Sequence, residues 1–346
     1  MAITGTSSGA ITETSSKTSS KTSSGTGAPL KIVALAGGIG GARFIRGLKA
    51  AAPESEITVI GNTGDDIELF GLRISPDLDT VMYTLGNGIH EEQGWGRREE
   101  SFVVKEELAL YDVQPQWFGL GDRDIATHIV RTQMRNAGYP LSQVTAALCA
   151  RWNPGVQLLP MTDDRVETHV EIEDNDGRRF IHFQEWWIKY RASTPALRIL
   201  PINAESATPA PGVIDAIKKA DIILFPPSNP VVSIGTILAI PGIKRALLAS
   251  KAPLVGVSPI IGGSPVRGMA DACLAAIDVK SSAFGVAEHY GARVHGGLLH
   301  GWLVDDVDND CALDGLRVLA RPLLMKDLQS STEIAAAALD LARTLA

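Results

Sequence analysis

Apolar residues fall in short unbroken runs along this chain, with stretches of helical period between them. Ile32-Val33-Ala34-Leu35 is the first run and reads as a strand buried on both faces. Gly37-Gly38-Ile39-Gly40-Gly41 follows as a tight turn, and a helical pattern starts at Ala42. Further buried strands are predicted at 57–60, 221–225, 253–257 and 302–304. Helices are predicted over 78–85, roughly 99–110, 125–136, 142–151, 213–219 and 332–345. Strands alternating with helices imply an α/β fold, Rossmann-like, with a parallel sheet as the middle of three layers. One stretch breaks the rhythm. Residues 166–172 alternate, Asp174-Asn175-Asp176-Gly177 makes a turn, and 180–183 returns as the second arm of a hairpin. With the helices before it, the span 90–200 reads as a smaller inserted α+β lobe on a core running from 29 to 346.

Residues 1–28 are a different material, mostly Ser, Thr, Gly, Ala and Lys with almost nothing to bury. They are expected to be a disordered tail. They lack the apolar core of a secretory signal and the arginines of a transit peptide. A net charge of −7 argues against a general nucleic-acid binder. No run approaches the ~18 apolar residues of a membrane span. The three cysteines, Cys149, Cys273 and Cys311, are odd in number and far apart, the usage of buried thiols in a reducing cytoplasm.

The glycine turn carries the first chemistry. Strand, glycine turn and helix bring backbone N–H groups close to a phosphate, with the positive helix end behind them. A P-loop needs Lys and Ser or Thr after its last Gly, and here Ala42-Arg43 follows. The dinucleotide fingerprint fails at Arg43, and its ribose-binding acid is missing because the second strand ends in Gly61-Asn62. This is therefore a nucleotide or phosphate loop without a nicotinamide site.

Four aspartates, Asp65, Asp66, Asp77 and Asp79, lie just past the second strand, at the edge where open α/β sheets bind ligands. Carboxylates beside a phosphate loop suit Mg²⁺, with Asp66 and Asp79 the leading candidates. Turn and helix-cap roles for Asp65 and Asp77 are the competing reading. Asp122 is placed to cap the helix 125–136. Asp124 and His128 are one turn apart, either a surface ion pair or part of the floor of a pocket for a ring-shaped ligand. His169 and His182, on the hairpin, read as packed or surface residues. Two loops rich in Gly, Pro, Ser and Asn, 226–236 and 258–268, follow buried strands and offer hydroxyls, an amide and an Arg to an anion.

The segments AGGIGGARF, NTGDD, SPDLDT, GDRDIATHIVR, LPMTDDRVETH, HFQEWW, PPSNPVVSIG and SPIIGG-PV occur in this order. Together they resemble the 2-phospho-L-lactate transferase family of coenzyme F420 biosynthesis, over about residues 31–346. The nearer resemblance is to actinobacterial-type members, which use a phosphoenolpyruvate-derived donor. The resemblance implies transfer of a phosphoenolpyruvyl or 2-phospho-L-lactyl group from a guanosine diphospho adduct to the ribityl hydroxyl of the deazaflavin Fo, 7,8-didemethyl-8-hydroxy-5-deazariboflavin. GMP is released. It implies Mg²⁺ on Asp66 and Asp79, with Asp77 or Asp79 taking the alcohol's proton. Gly37, Gly38, Gly40, Gly41, Ser228, Asn229, Ser233 and Gly235 would cradle the guanosine diphosphate, and Thr80, Asp122 and Arg123 would face the deazaflavin. A cytoplasmic homodimer is the implied assembly. The competing class is a non-catalytic nucleotide-sugar-binding regulator of the gluconeogenesis-factor-like branch, which shares the first glycine loop and the NTGDD region.

Overall fold

The apolar run at the start of the chain forms the central strand β1 (Lys31–Ala36) of a seven-stranded sheet. A computed structural model describes residues 28–345, so the expected tail lies, apart from Ala28, outside the described residues. The other strands are β2 (Glu56–Gly61), β3 (Gln157–Pro160), β4 (Ile222–Phe225), β5 (Leu254–Val257), β6 (Gly301–Val304) and β7 (Arg317–Ala320). Their order is β7-β6-β5-β4-β1-β2-β3 and every pairing is parallel. The chain moves outward from β1 in one direction through β2 and β3, then returns to β1's other side and moves outward again. β1 and β4 thus flank the topological switch point, where an open sheet of this kind leaves a crevice beyond its strand ends.

Both faces of the sheet are covered, as the continuous apolar runs require. Along β1 the side chains divide by the strand period. Val33 and Leu35 join one core with Ile223, Phe225 and Trp302, while Ile32, Ala34 and Ala36 join the other with Phe44, Ile45 and Leu48. The second core lies under helix α1 (Gly38–Ala51), helix α2 (Pro76–Leu85) and the C-terminal helix Leu328–Arg343. α1 and the C-terminal helix approach so closely that a Cβ on Gly47 would strike the Ser331 carbonyl. The expected Rossmann-like three-layer fold is the fold observed.

The inserted lobe needs correcting. Gln157–Pro160 is not part of an insertion, because it pairs with β2 as a strand of the main sheet. It divides the 90–200 stretch into two parts. Before it come helix α3 (Val103–Leu110), helix α4 (Asp122–Asn136) and the helix Leu141–Trp152. After it comes a three-stranded antiparallel sheet, in which Glu167–Asp174 lies between Gly177–His182 and Arg198–Ile202. That small sheet does not stand apart. Val170, Ile172, Phe183 and Trp186 pack against Val232 and Cys273 of the main body. Among the described residues no single helix is long and apolar enough to cross a membrane.

Candidate active site

A cavity of about 910 Å³ opens at the switch point. Its walls come from the glycine turn, the loops after β4 and β5, the start of α2, α4, the aromatic segment 117–120 and the segment 183–188. α1 begins at Gly38, earlier than the sequence predicts, so Gly38, Gly40 and Gly41 lie inside its first turn. Such a start leaves the first N–H groups of the helix without intrahelical partners. Gly38 sits at φ +63°, a conformation open to glycine. At Gly37 an added Cβ would strike the Asp77 carboxylate, and at Gly40 the Pro227 carbonyl. Glycine is what lets three loops meet here.

The loop after β4 is tied to that turn. Ser228 Oγ accepts from Gly37 N at 3.2 Å and donates to Gly37 O at 2.9 Å. Asn229 Oδ1 accepts from the amides of Val231 (2.9 Å) and Val232 (3.2 Å), capping the short helical turn Pro230–Gly235. Gly37, Gly38, Gly40, Ser228, Asn229 and Ser233 all line the cavity. Gly41 and Gly235 stand behind its wall: a Cβ on Gly41 would lie 2.6 Å from Ser228 Oγ, and one on Gly235 2.8 Å from the Pro230 carbonyl.

The four aspartates separate into three environments. Asp65 and Asp77 come together on the cavity wall. Asn62 Nδ2 donates to Asp77 Oδ2 at 2.9 Å and reaches Asp65 Oδ1 at 3.3 Å. Burial pushes the Asp77 carboxyl up to about 6 against the bonds from Asn62 and Gly38. It pushes Asp65 well above its ordinary value, with the neighbouring Asp77 charge adding to the effect. No basic group offsets either shift. Asp77 does not cap α2, since the cap position is Ser75 and Asp77 faces the glycine turn. Asp66 turns the other way, accepts from Ser75 Oγ at 2.7 Å, and lines a small separate crevice with Arg73, Arg131 and Arg135. Asp79 lines the main cavity beside Thr80 but is already ion-paired with Arg131. Its Oδ2 is buried with no hydrogen-bond partner. Asp66 and Asp79 share Arg131 as a charged neighbour but open on different spaces, Asp66 on the crevice and Asp79 on the cavity.

The donor set at Asp65 and Asp77 fits a hard divalent cation: two desolvated carboxylates, no competing base, and glycine amides adjacent for phosphate. Among the described residues no three His, Cys, Asp or Glu groups converge on a metal position. A cation here would complete its shell from phosphate and water. Without one, the pair carries a pH signature. Both pKa values lie above the unfolded-chain value, so the folded state holds these protons more tightly. For Asp77 the stability this supplies is present at low pH and is lost as pH rises through about 6. In chelator, the fall in melting temperature between pH 5 and pH 8 is expected to be smaller in Asp77→Asn than in the parent. An equal fall in both would contradict this.

The start of α4 is a second correction. Asp122 does not cap its own helix. It accepts from Ser101 Oγ (2.7 Å) and from the amides of Val103 (3.0 Å) and Val104 (2.9 Å), capping α3, and these bonds hold its carboxyl below the ordinary value. Arg123 is exposed and pairs with Glu99 at 3.1 Å. Neither lines the cavity, so neither is placed to face a ring bound there. The residues of α4 that reach the wall are Asp124 and His128. Tyr83 Oη donates to Asp124 Oδ1 at 2.6 Å, and His128 lies 3.3 Å from Asp124 through Nε2 and 3.1 Å from Arg131 Nη1 through Nδ1. Arg131 carries this chain of contacts on to Asp79. Sequence reasoning did not single out Arg131, yet the signal was present: Asp124, His128 and Arg131 are spaced to share one helix face. Trp117, Phe118, Phe183 and Trp187 supply an aromatic wall, with the last two stacked at 16° and 6.4 Å between centroids.

A glycine turn at a helix start, a carboxylate pair and an aromatic wall in one cavity are chemically suited to a phosphorylated nucleotide beside a planar partner. A family model described as 2-phospho-L-lactate transferase CofD matches residues 32–315. The chain belongs to the CofD family. Proteins named phosphoenolpyruvate transferase in Streptomyces griseus subsp. griseus and Thermobifida fusca are each 64% identical to it, over 317 and 324 residues. These alignments cover 90% and 91% of this chain and 98% and 99% of the relatives. A crystal structure of a Bacillus halodurans protein shares the fold, with a TM-score of 0.58 at 18% identity over 90% of this chain and 99% of that one. This CofD-family chain is a transferase.

Proposed function

We propose that the protein transfers a phosphoenolpyruvyl group from a guanosine diphospho donor to the ribityl hydroxyl of the deazaflavin Fo, releasing GMP. The observation that carries this reading is the cavity itself, which sets the glycine turn at the start of α1 and the Asp65–Asp77 pair against an aromatic wall. The enolpyruvyl donor follows the name shared by the 64% identical relatives. A cytoplasmic homodimer is part of the same proposal.

In this reading the diphosphate lies across Gly37 and Gly38, held by the amides at the start of α1 and by the Ser228–Ser233 loop. Asp65 and Asp77 would hold Mg²⁺, which would neutralise charge gathering on the diphosphate. The deazaflavin ring lies along the aromatic wall and presents its primary hydroxyl near Thr80. That oxygen attacks the phosphorus distal to guanosine, the bond from this phosphorus to the GMP oxygen breaks, and GMP leaves with the electron pair. Asp79 Oδ2, free of hydrogen bonds, takes the hydroxyl proton.

The test is direct. The full chain is mixed with Fo, Mg²⁺ and equal amounts of the enolpyruvyl and lactyl guanosine donors, and the products are resolved by mass. The expected result is the enolpyruvyl adduct with one GMP per product. The lactyl adduct as main product would overturn the donor assignment. No product and no GMP, from protein that still binds nucleotide, would overturn the transfer itself in favour of a regulatory binder.

A further inference from the structure

Arg43 is the residue that breaks the dinucleotide fingerprint, and it faces the cavity together with Arg267 from the loop after β5. Among the described residues neither guanidinium forms an ion pair within 4 Å. Arg43 Nη2 donates to the carbonyl of Glu91 at 3.1 Å, and Arg267 Nη1 reaches the carbonyls of Glu92 and Gln93 at 3.4 Å. The nearby Glu91 carboxylate is taken by Arg46 at 2.6 Å. One short loop, 91–93, thus anchors two cations from different parts of the chain through carbonyls alone. The next residue, Gly94, lies so close that a Cβ there would meet Ile39 at 2.8 Å and Arg267 Nη1 at 3.3 Å, so the loop crosses the first turn of α1.

Like charges held near one another without a direct ion pair repel, and the cost falls when an anion binds between them. Burial and the Arg267 charge push the Arg43 pKa down, and the Glu91 charge, which is paired with Arg46, does not make up the difference. The guanidinium fork suits phosphate oxygens, which it meets with two parallel hydrogen bonds. The glycine turn beside it offers neutral amides, adequate for one phosphate. A second phosphate brings charge that the amides do not balance.

We propose that Arg43 and Arg267 form an anion clamp that takes the diphosphate of the nucleotide donor and selects a diphosphate over a monophosphate. This rests on the nucleotide reading above and adds two residues to it. It also gives release a direction: GMP, with one phosphate, is held less tightly by the clamp than the diphospho donor.

The experiment is calorimetric titration of the full chain, with Mg²⁺, against guanosine, GMP and GDP. In the parent, affinity is expected to rise from guanosine through GMP to GDP. In Arg43→Ala and, separately, Arg267→Ala, GDP binding is expected to weaken roughly ten- to a hundredfold, GMP less, and guanosine hardly at all. Arg267 is exposed, so its variant is expected to keep the parent's melting temperature. Equal weakening of all three ligands, or an unchanged preference for GDP over GMP, would overturn the clamp while leaving the nucleotide site standing. A parent that binds none of the three would overturn the nucleotide reading and the clamp with it.

Discussion

Asp77→Asn is expected to lower turnover by roughly a hundred- to a thousandfold or more, the scale of losing one preorganised electrostatic group at a reacting phosphate. The protein should remain folded. Asp77 sits at the second position of α2 with its carboxylate against Gly37, and Asn is close in shape and keeps an oxygen for the Asn62 amide. What it loses is charge. In the free protein that charge is a burden, since burial holds the carboxyl up at about 6 and Asp65 stands beside it. Loss of turnover should therefore come with unchanged or higher thermal stability at neutral pH, and with loss of the Mg²⁺ dependence of GDP binding measured by calorimetry. A folded variant that turns over at near-normal rate would remove the Asp65–Asp77 pair from the reaction.

Arg131→Met is expected to have the second-largest effect, of a different kind. The guanidinium is buried, pairs with Asp79 and contacts His128. Removing it leaves the Asp79 carboxylate buried and uncompensated, with a cost of about 3–5 kcal/mol in unfolding free energy, measured by urea denaturation. Activity should fall as well, because Asp79 loses the group that fixes its position. The double variant Asp79→Leu/Arg131→Met separates the two roles. With both charges gone, stability should recover most of the loss while activity does not. Additive losses in the double variant would show that the two side chains act independently.

The elements easiest to read from the sequence were those with a single physical explanation. β1 and the glycine turn stood out because a strand buried on both faces has few polar residues and the turn leaves no room for a Cβ. β3 and β7 were missed because they are the two outermost strands of the sheet, and each opens on an exposed polar residue, Gln157 and Arg317, that shortens its apolar run. The choice among the aspartates was beyond the sequence for a geometric reason. Asp77 and Asp79, two positions apart on a helix, point about 200° from one another. One therefore meets the glycine turn while the other meets Arg131. Asp65 and Asp66 are likewise neighbours that turn to opposite sides of their loop. The motif brings these aspartates together in sequence, but only the fold shows what each side chain of a pair meets. The same holds on α4, where Asp122 goes to the cap of α3 and Asp124 to the cavity.

The most direct test of this account is a crystal structure of the protein with GDP, Fo and Mn²⁺, the metal located by its anomalous signal. The expected result is one Mn²⁺ peak between Asp65 and Asp77, with the diphosphate over Gly37 and Gly38 and the deazaflavin along the Trp117–Trp187 wall. A metal peak on Asp66, or a diphosphate bound away from the glycine turn, would contradict it.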